Sequence, residues 1–148
     1  MHQPDGMPTA WIDGVAYRGN GPHHVVRNPA TDQPAGTVAL ADAGDVEKAI
    51  ASARAAQSEW GGATPAERSE VMRTLADLMR THSRELADEE VAQTGRTIRL
   101  ATEFDVPGSI DNVDFFAGVT RNLDGKASAE YSGDHTSSIR REPVGIVG

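Results

Sequence analysis

The chain has 148 residues, of which 38% are hydrophobic and 24% charged, with a net charge of −8 and a pI near 5.0. That size allows one domain with its own core, and no apolar run approaches the ~18 residues a membrane span needs. The acidity argues against nucleic acid and anionic membrane surfaces as partners. Cysteine is absent, which removes disulfides, thiolate metal sites and cysteine nucleophiles together. The first six residues carry no basic-then-apolar leader pattern, so the cytoplasm is the default location.

In chain order, residues 1–8 read as polar and loose. Trp11 to Tyr17 predicts two short strands around an Asp13-Gly14 hairpin turn, with further strands at His24–Arg27 and Gly36–Leu40. Asn28-Pro29-Ala30-Thr31 between them is turn chemistry. The chain therefore opens on a small antiparallel β unit. His23 and His24 are adjacent, so on a strand their rings point to opposite faces and cannot share one metal ion.

Helical patterning follows. Asp42 with Asp45 three residues on predicts a capped first helix carrying Val46, Ile50, Ala53 and Trp60 and ending at Gly61-Gly62. Thr64, Pro65 and Glu67 form a capping box with proline at the first helical position. The second helix has Val71, Leu75, Leu78 and Met79 as its expected core stripe. Ser83 is the expected cap of a third helix with Leu86 and Val91, closed by Gly95 in the left-handed conformation. A fourth helix is expected from about Thr97 to Leu123, with a kink or break near Val106 because Pro107 lacks an amide donor. Trp11, Trp60 and at least one of Phe115 and Phe116 read as packing residues.

After Leu123-Asp124-Gly125 the pattern predicts a polar two-stranded hairpin, 127–131 and 135–141 around Ser132-Gly133-Asp134, which needs a partner surface. Pro143 to Gly148 has the small and β-branched residues of a buried parallel strand.

Several short motifs in fixed order carry a resemblance. They are Trp-Ile-Asp-Gly at 11–14, Asn-Pro-Ala-Thr at 28–31, Pro-Ala-Glu-Arg at 65–68, Gly95-Arg96, Phe-Phe-Ala-Gly at 115–118 and the run from Arg140 to Gly148. Together they resemble the N-terminal part of an NAD(P)-dependent aldehyde dehydrogenase. Within that family, Phe115–Gly118 with Leu123-Asp124-Gly125, Glu130-Tyr131, His135-Thr136-Ser137 and Ile139–Arg141 looks most similar to the 4-aminobutyraldehyde (aminoaldehyde) branch. The betaine aldehyde and succinic semialdehyde branches are alternatives, and Arg96 stands where the family usually has lysine.

The resemblance implies an α/β fold. Residues 1–123 would be the first portion of the cofactor-binding domain, 124–142 an oligomerisation hairpin joining identical subunits, and 143–148 the start of the dinucleotide sheet. It implies a parent enzyme in which a cysteine thiolate attacks a small-molecule aldehyde, hydride passes to NAD or NADP, and a glutamate activates water. This chain would hold neither the catalytic nor the cofactor-binding residues, would be inactive alone and would expose apolar helix faces, leaving it poorly soluble or molten. A non-catalytic oligomerisation or regulatory module is the alternative from another class. The resemblance places Asp105 and Asp111 beside the aldehyde tunnel, where a carboxylate could meet an ammonium group, though solvated helix charges are the simpler account. It places Arg27, through its carbonyl, and Gln93 where many such enzymes hold a structural alkali cation; an ordinary helix-end glutamine is the alternative.

Overall fold

The computed structural model describes residues 8–123 and 128–148. The expected loose N-terminus up to residue 7, the Asp124-Gly125 turn and the strand start at Ala127 lie outside those residues. Three antiparallel hairpins precede and follow the helices in sequence: β1 (Ala10–Ile12) with β2 (Val15–Tyr17), β3 (His23–Arg27) with β4 (Pro34–Ala39), and β5 (Ala129–Ser132) with β6 (His135–Ser137). Asp13 and Gly14 both adopt positive φ, 54° and 71°, the turn whose twist matches the flanking strands. In the β3–β4 turn Asn28 Oδ1 accepts from the Ala30 amide, and the Asn28 carbonyl accepts from Asp32. The opening β unit is thus two separate hairpins, cross-linked where the Thr9 hydroxyl donates to the Ala39 carbonyl.

Helix α1 (Ala43–Gly62) and helix α2 (Pro65–Thr81) both begin with reciprocal capping boxes, Asp42 with Asp45 and Thr64 with Glu67. Each box satisfies two amide donors that a helix start leaves unpaired. Helix α3 (Ser83–Thr94) departs from expectation: its cap position is His82, whose side chain caps no helix amide, and Ser83 is already the first helical residue. The short link from α2 leaves no room for a separate serine cap. Gly95 closes α3 at φ 70°. A Cβ there would also lie 2.8 Å from Pro29 Cγ, so glycine is required by conformation and by contact.

The fourth helix runs through Val106 without the break that was one of the two expectations. Helix α4 (Ile98–Leu100) passes into a π-helical stretch, Ala101–Asp105, and on into α5 (Val106–Val119) and a 3-10 turn, Thr120–Asn122. The Val106 amide donates to the Ala101 carbonyl five residues back. Widening the helix just before Pro107 accommodates a residue with no amide to give.

The core sits between α2, α3, the π turn and α5: Ala76, Ala87, Ala101, Val106 and Ile110, with Met79, Val91 and Val113 packed on it. Alanines contribute little transfer energy each but let helix axes approach closely, while Val106 and Ile110 each gain about 1.5–3 kcal/mol from burial. Of the expected α2 stripe, Met79 packs on this core. Val71, Leu75 and Leu78 are about half exposed, and Ser69 and Ala76 are buried instead. Trp11, Trp60, Phe115 and Phe116 are likewise exposed rather than packed inside. The expected exposed apolar surface is therefore present, on α1, α2 and α5. Among the described residues no helix is long and apolar enough to cross a membrane.

The second hairpin strand is shorter than expected, stopping at Ser137, and residues 138–148 pair with no described strand. Strand geometry needs a neighbour for its backbone groups. Ile146, Val147 and Gly148 lie instead beside α1, along the wall of a cleft.

Candidate functional site

Two regions concentrate polar side chains with specific partners. The first is the corner between Gly95 and the π turn. Arg96 Nη1 donates to Asp105 Oδ1 at 3.0 Å, tying the residue after the left-handed corner to the last residue of the π turn. Among the described residues, Asp105 Oδ2 is shielded from solvent and has no hydrogen-bond partner. π turns of this kind recur at functional sites because they re-aim the side chains they carry. Asp111, nearly two turns further along, is exposed. Phe104 is exposed too, and Phe115 and Phe116 stack edge to face with centroids 5.2 Å apart. The structure thus puts both predicted carboxylates on one helix but in different settings: Asp105 is neutralised by Arg96, and Asp111 stands in solvent.

The close approach of Gly95 to Pro29 sets the end of α3, two residues beyond Gln93, against the β3–β4 turn that follows Arg27. The side chains themselves are engaged elsewhere. Arg27 Nη1 donates to the Asp32 carbonyl at 2.8 Å, and Gln93 Nε2 to Glu89 Oε2 at 3.5 Å. Among the described residues there is no cluster of three or more His, Cys, Asp or Glu side chains suited to a metal. His23 and His24 lie in β3, both exposed.

The second region surrounds Asp45, which is 2% exposed and is the buried residue of α1. Tyr17 Oη donates to Asp45 Oδ1 at 2.6 Å, the Asn20 amide to Oδ2 at 2.8 Å and the Asp42 amide to Oδ2 at 3.0 Å. The Asn20 side-chain amide and Lys48 Nζ also donate to Oδ1. The Tyr17 hydroxyl above all, then the Asn20 backbone amide, holds the Asp45 carboxyl far below the ordinary carboxylate range, outweighing the opposing effect of desolvation. Lys48 Nζ donates to Tyr17 Oη at 2.8 Å, and that bond raises the lysine. Tyr17 and Asp45 form the polar wall of a cleft of about 570 Å³ whose other lining includes Ile12, Val46, Ile50 and Ile146.

Sequence reasoning identified Asp45 only as a helix-cap partner and missed Tyr17, Asn20 and Lys48. Tyr17 and Asn20 lie 28 and 25 residues away, beyond any local spacing rule. The Arg96–Asp105 pair was missed for a similar reason, since the corner at Gly95 and the π turn set its geometry.

Two hairpins ahead of a run of helices give an arrangement of the α/β class. The profile of the Aldehyde dehydrogenase family matches residues 17–148, and the chain belongs to that family. It is 38% identical over 146 residues to a putative aldehyde dehydrogenase, DhaS, of Bacillus subtilis, covering 97% of this chain and 29% of that protein. It is 33% identical to a fluoroacetaldehyde dehydrogenase of Streptantibioticus cattleyicolor, over all of this chain and 31% of the relative. In three dimensions it is similar to the NAD+ complex of an aldehyde dehydrogenase from Bacillus cereus, with TM-score 0.85 and 30% identity over 93% of this chain and 28% of that one. The chain thus spans about three tenths of the length of the curated relatives it matches.

Proposed function

We propose that these residues form the N-terminal portion of an enzyme that oxidises an aldehyde to the carboxylic acid with NAD or NADP. The observation that carries this reading is the unbroken match to the family from residue 17 to residue 148. The cofactor, when bound, accepts the hydride that the aldehyde carbon gives up. The chain's own part is structural. Its packed helices would support the reaction centre, and the β5–β6 hairpin would add to a sheet in an identical subunit. With no cysteine among its residues, the chain cannot itself supply a thiolate for attack on the aldehyde.

An aminoaldehyde such as 4-aminobutyraldehyde is the finer reading of the substrate. It is supported by the motif order from Phe115 to Arg141 and by two carboxylates on one helix. Because Arg96 already pairs with Asp105, Asp111 is the carboxylate left to face an ammonium group. A structural alkali cation between the Arg27 carbonyl and Gln93 would have a neutral donor pair, weak for a hard ion without a carboxylate.

The test is to express the whole reading frame that encodes these residues and to follow cofactor reduction with aliphatic, aromatic and amino aldehydes. Aldehyde-dependent reduction is expected. A frame that continues through a cysteine yet shows no turnover on any aldehyde would sink the proposal. In the active enzyme, Asp111→Asn should lower kcat/KM for aminoaldehydes by about tenfold, one lost partly shielded charge contact, and leave neutral aldehydes unchanged. Equal loss on both would remove the aminoaldehyde reading alone.

A further inference from the structure

Helix α1 runs for 20 residues and its one buried residue is an aspartate. Its large apolar side chains, Val46, Ile50 and Trp60, are all substantially exposed. A buried ionised carboxylate is costly unless every lone pair is met. Here it is met from both sides. Donors from the helix side are the Asp42 amide and Lys48 Nζ. Donors from the hairpin side are Tyr17 Oη at the end of β2 and both nitrogens of Asn20 in the turn that follows. The charged and titratable groups facing the carboxylate are therefore Tyr17, Asp42 and Lys48.

We propose that Asp45 is a latch: one carboxylate that completes the cap of α1 and also fastens the β1–β2 hairpin to that helix. Opening it detaches the hairpin from α1 without unfolding α2 to α5, while the Thr9 hydroxyl still ties the hairpin to the Ala39 carbonyl. The helical core of Ala76, Ala87, Ala101, Val106 and Ile110 includes no residue of α1 or of the hairpin, so it does not depend on the latch. The latch also sets the width of the neighbouring cleft, because Ile12 and Tyr17 form one wall and Val46 and Ile50 the other. Local opening with an intact remainder is the behaviour expected of a segment held by few apolar contacts.

Amide hydrogen exchange on the protein expressed from its whole reading frame tests this, read at Asn20, Asp45 and, as the core reference, Ala76. Asp45→Ala leaves the Tyr17 hydroxyl and the Asn20 amide without their acceptor, and exchange at Asn20 should rise about tenfold or more with Ala76 unchanged. Asp42→Ala removes the cap bond only, so exchange should rise at Asp45 and not at Asn20. Tyr17→Phe keeps the carboxylate and the cap, and should speed Asn20 by about threefold, adding nothing in the Asp45→Ala background. Unchanged exchange at Asn20 in Asp45→Ala or Tyr17→Phe would overturn the latch. So would Ala76 rising in step with Asn20, which would make Asp45 a residue of global stability.

Discussion

Helices α1 and α2 are neighbours in sequence and open with the same reciprocal capping box, yet they are held by different chemistry. Helix α2 buries Ser69 and Ala76 against α5 and reaches across to it through Arg80, which bonds Asp77 and Asp114. Helix α1 buries Asp45 and is fixed through hydrogen bonds to a hairpin. Close packing is insensitive to pH and to a single polar substitution at the surface. A carboxylate hub is directional, depends on ionisation, and fails as a unit when its acceptor is lost. The same cap motif thus begins one helix that belongs to a core and another that is moored at one end to a hairpin.

The sharpest way to break the contrast is from the packed side. Ile110→Ala removes most of a buried side chain between α2, α3 and α5 and should cost about 2–4 kcal/mol, read as a lower urea midpoint by far-UV circular dichroism. Its effect should fall on α2 to α5 while exchange at Asn20 stays near its starting value.

Acid attacks the moored side. A carboxyl whose folded pKa lies below its unfolded value adds stability above the unfolded value, and loses it as pH falls through that value toward the folded one. Asp45 is lowered by Tyr17, the Asn20 amide and the other donors, so its contribution is complete above about pH 4 and declines below it. Glu67, lowered first by the Thr64 amide and then by the Thr64 hydroxyl, shifts in the same direction. NMR titration should show the Asn20 amide losing its bonded shift before the Ala76 amide moves. Simultaneous loss would erase the difference between the two regions.

The smallest expected effect is at the shared motif. Thr64→Ala removes the hydroxyl that accepts from the Glu67 amide and should cost about 1 kcal/mol, a modest drop in thermal midpoint. Because that cap serves no partner outside its helix start, exchange at Asn20 should not change.

The local features were legible in the sequence. Asp13-Gly14, the two capping boxes, Pro65 at the first helical position and Gly95 at the helix end each depend on residues within a few positions of one another. Helix faces were less legible. The spacing of Val71, Leu75 and Leu78 identified an apolar stripe correctly but not its exposure, because periodicity says which residues share a face and not what lies opposite. The core was built instead from alanines, whose small size carries little hydrophobic signal but permits close approach. Of the candidate site, Asp105 and Asp111 were found on one helix, while the neutralisation of Asp105 by Arg96 was not visible from spacing.

The amino-acid sequence by itself determined the kinds of elements, their caps and turns, and through the order of short motifs the aldehyde dehydrogenase family. These depend on local backbone preferences and on residue identity. Tertiary structure alone decided which helix faces meet, that the helix before Pro107 widens into a π turn, and that Asp45 binds Tyr17 and Asn20 as well as its own helix. Those outcomes depend on groups far apart in the chain converging on one point. Their energies exist only once the chain has folded.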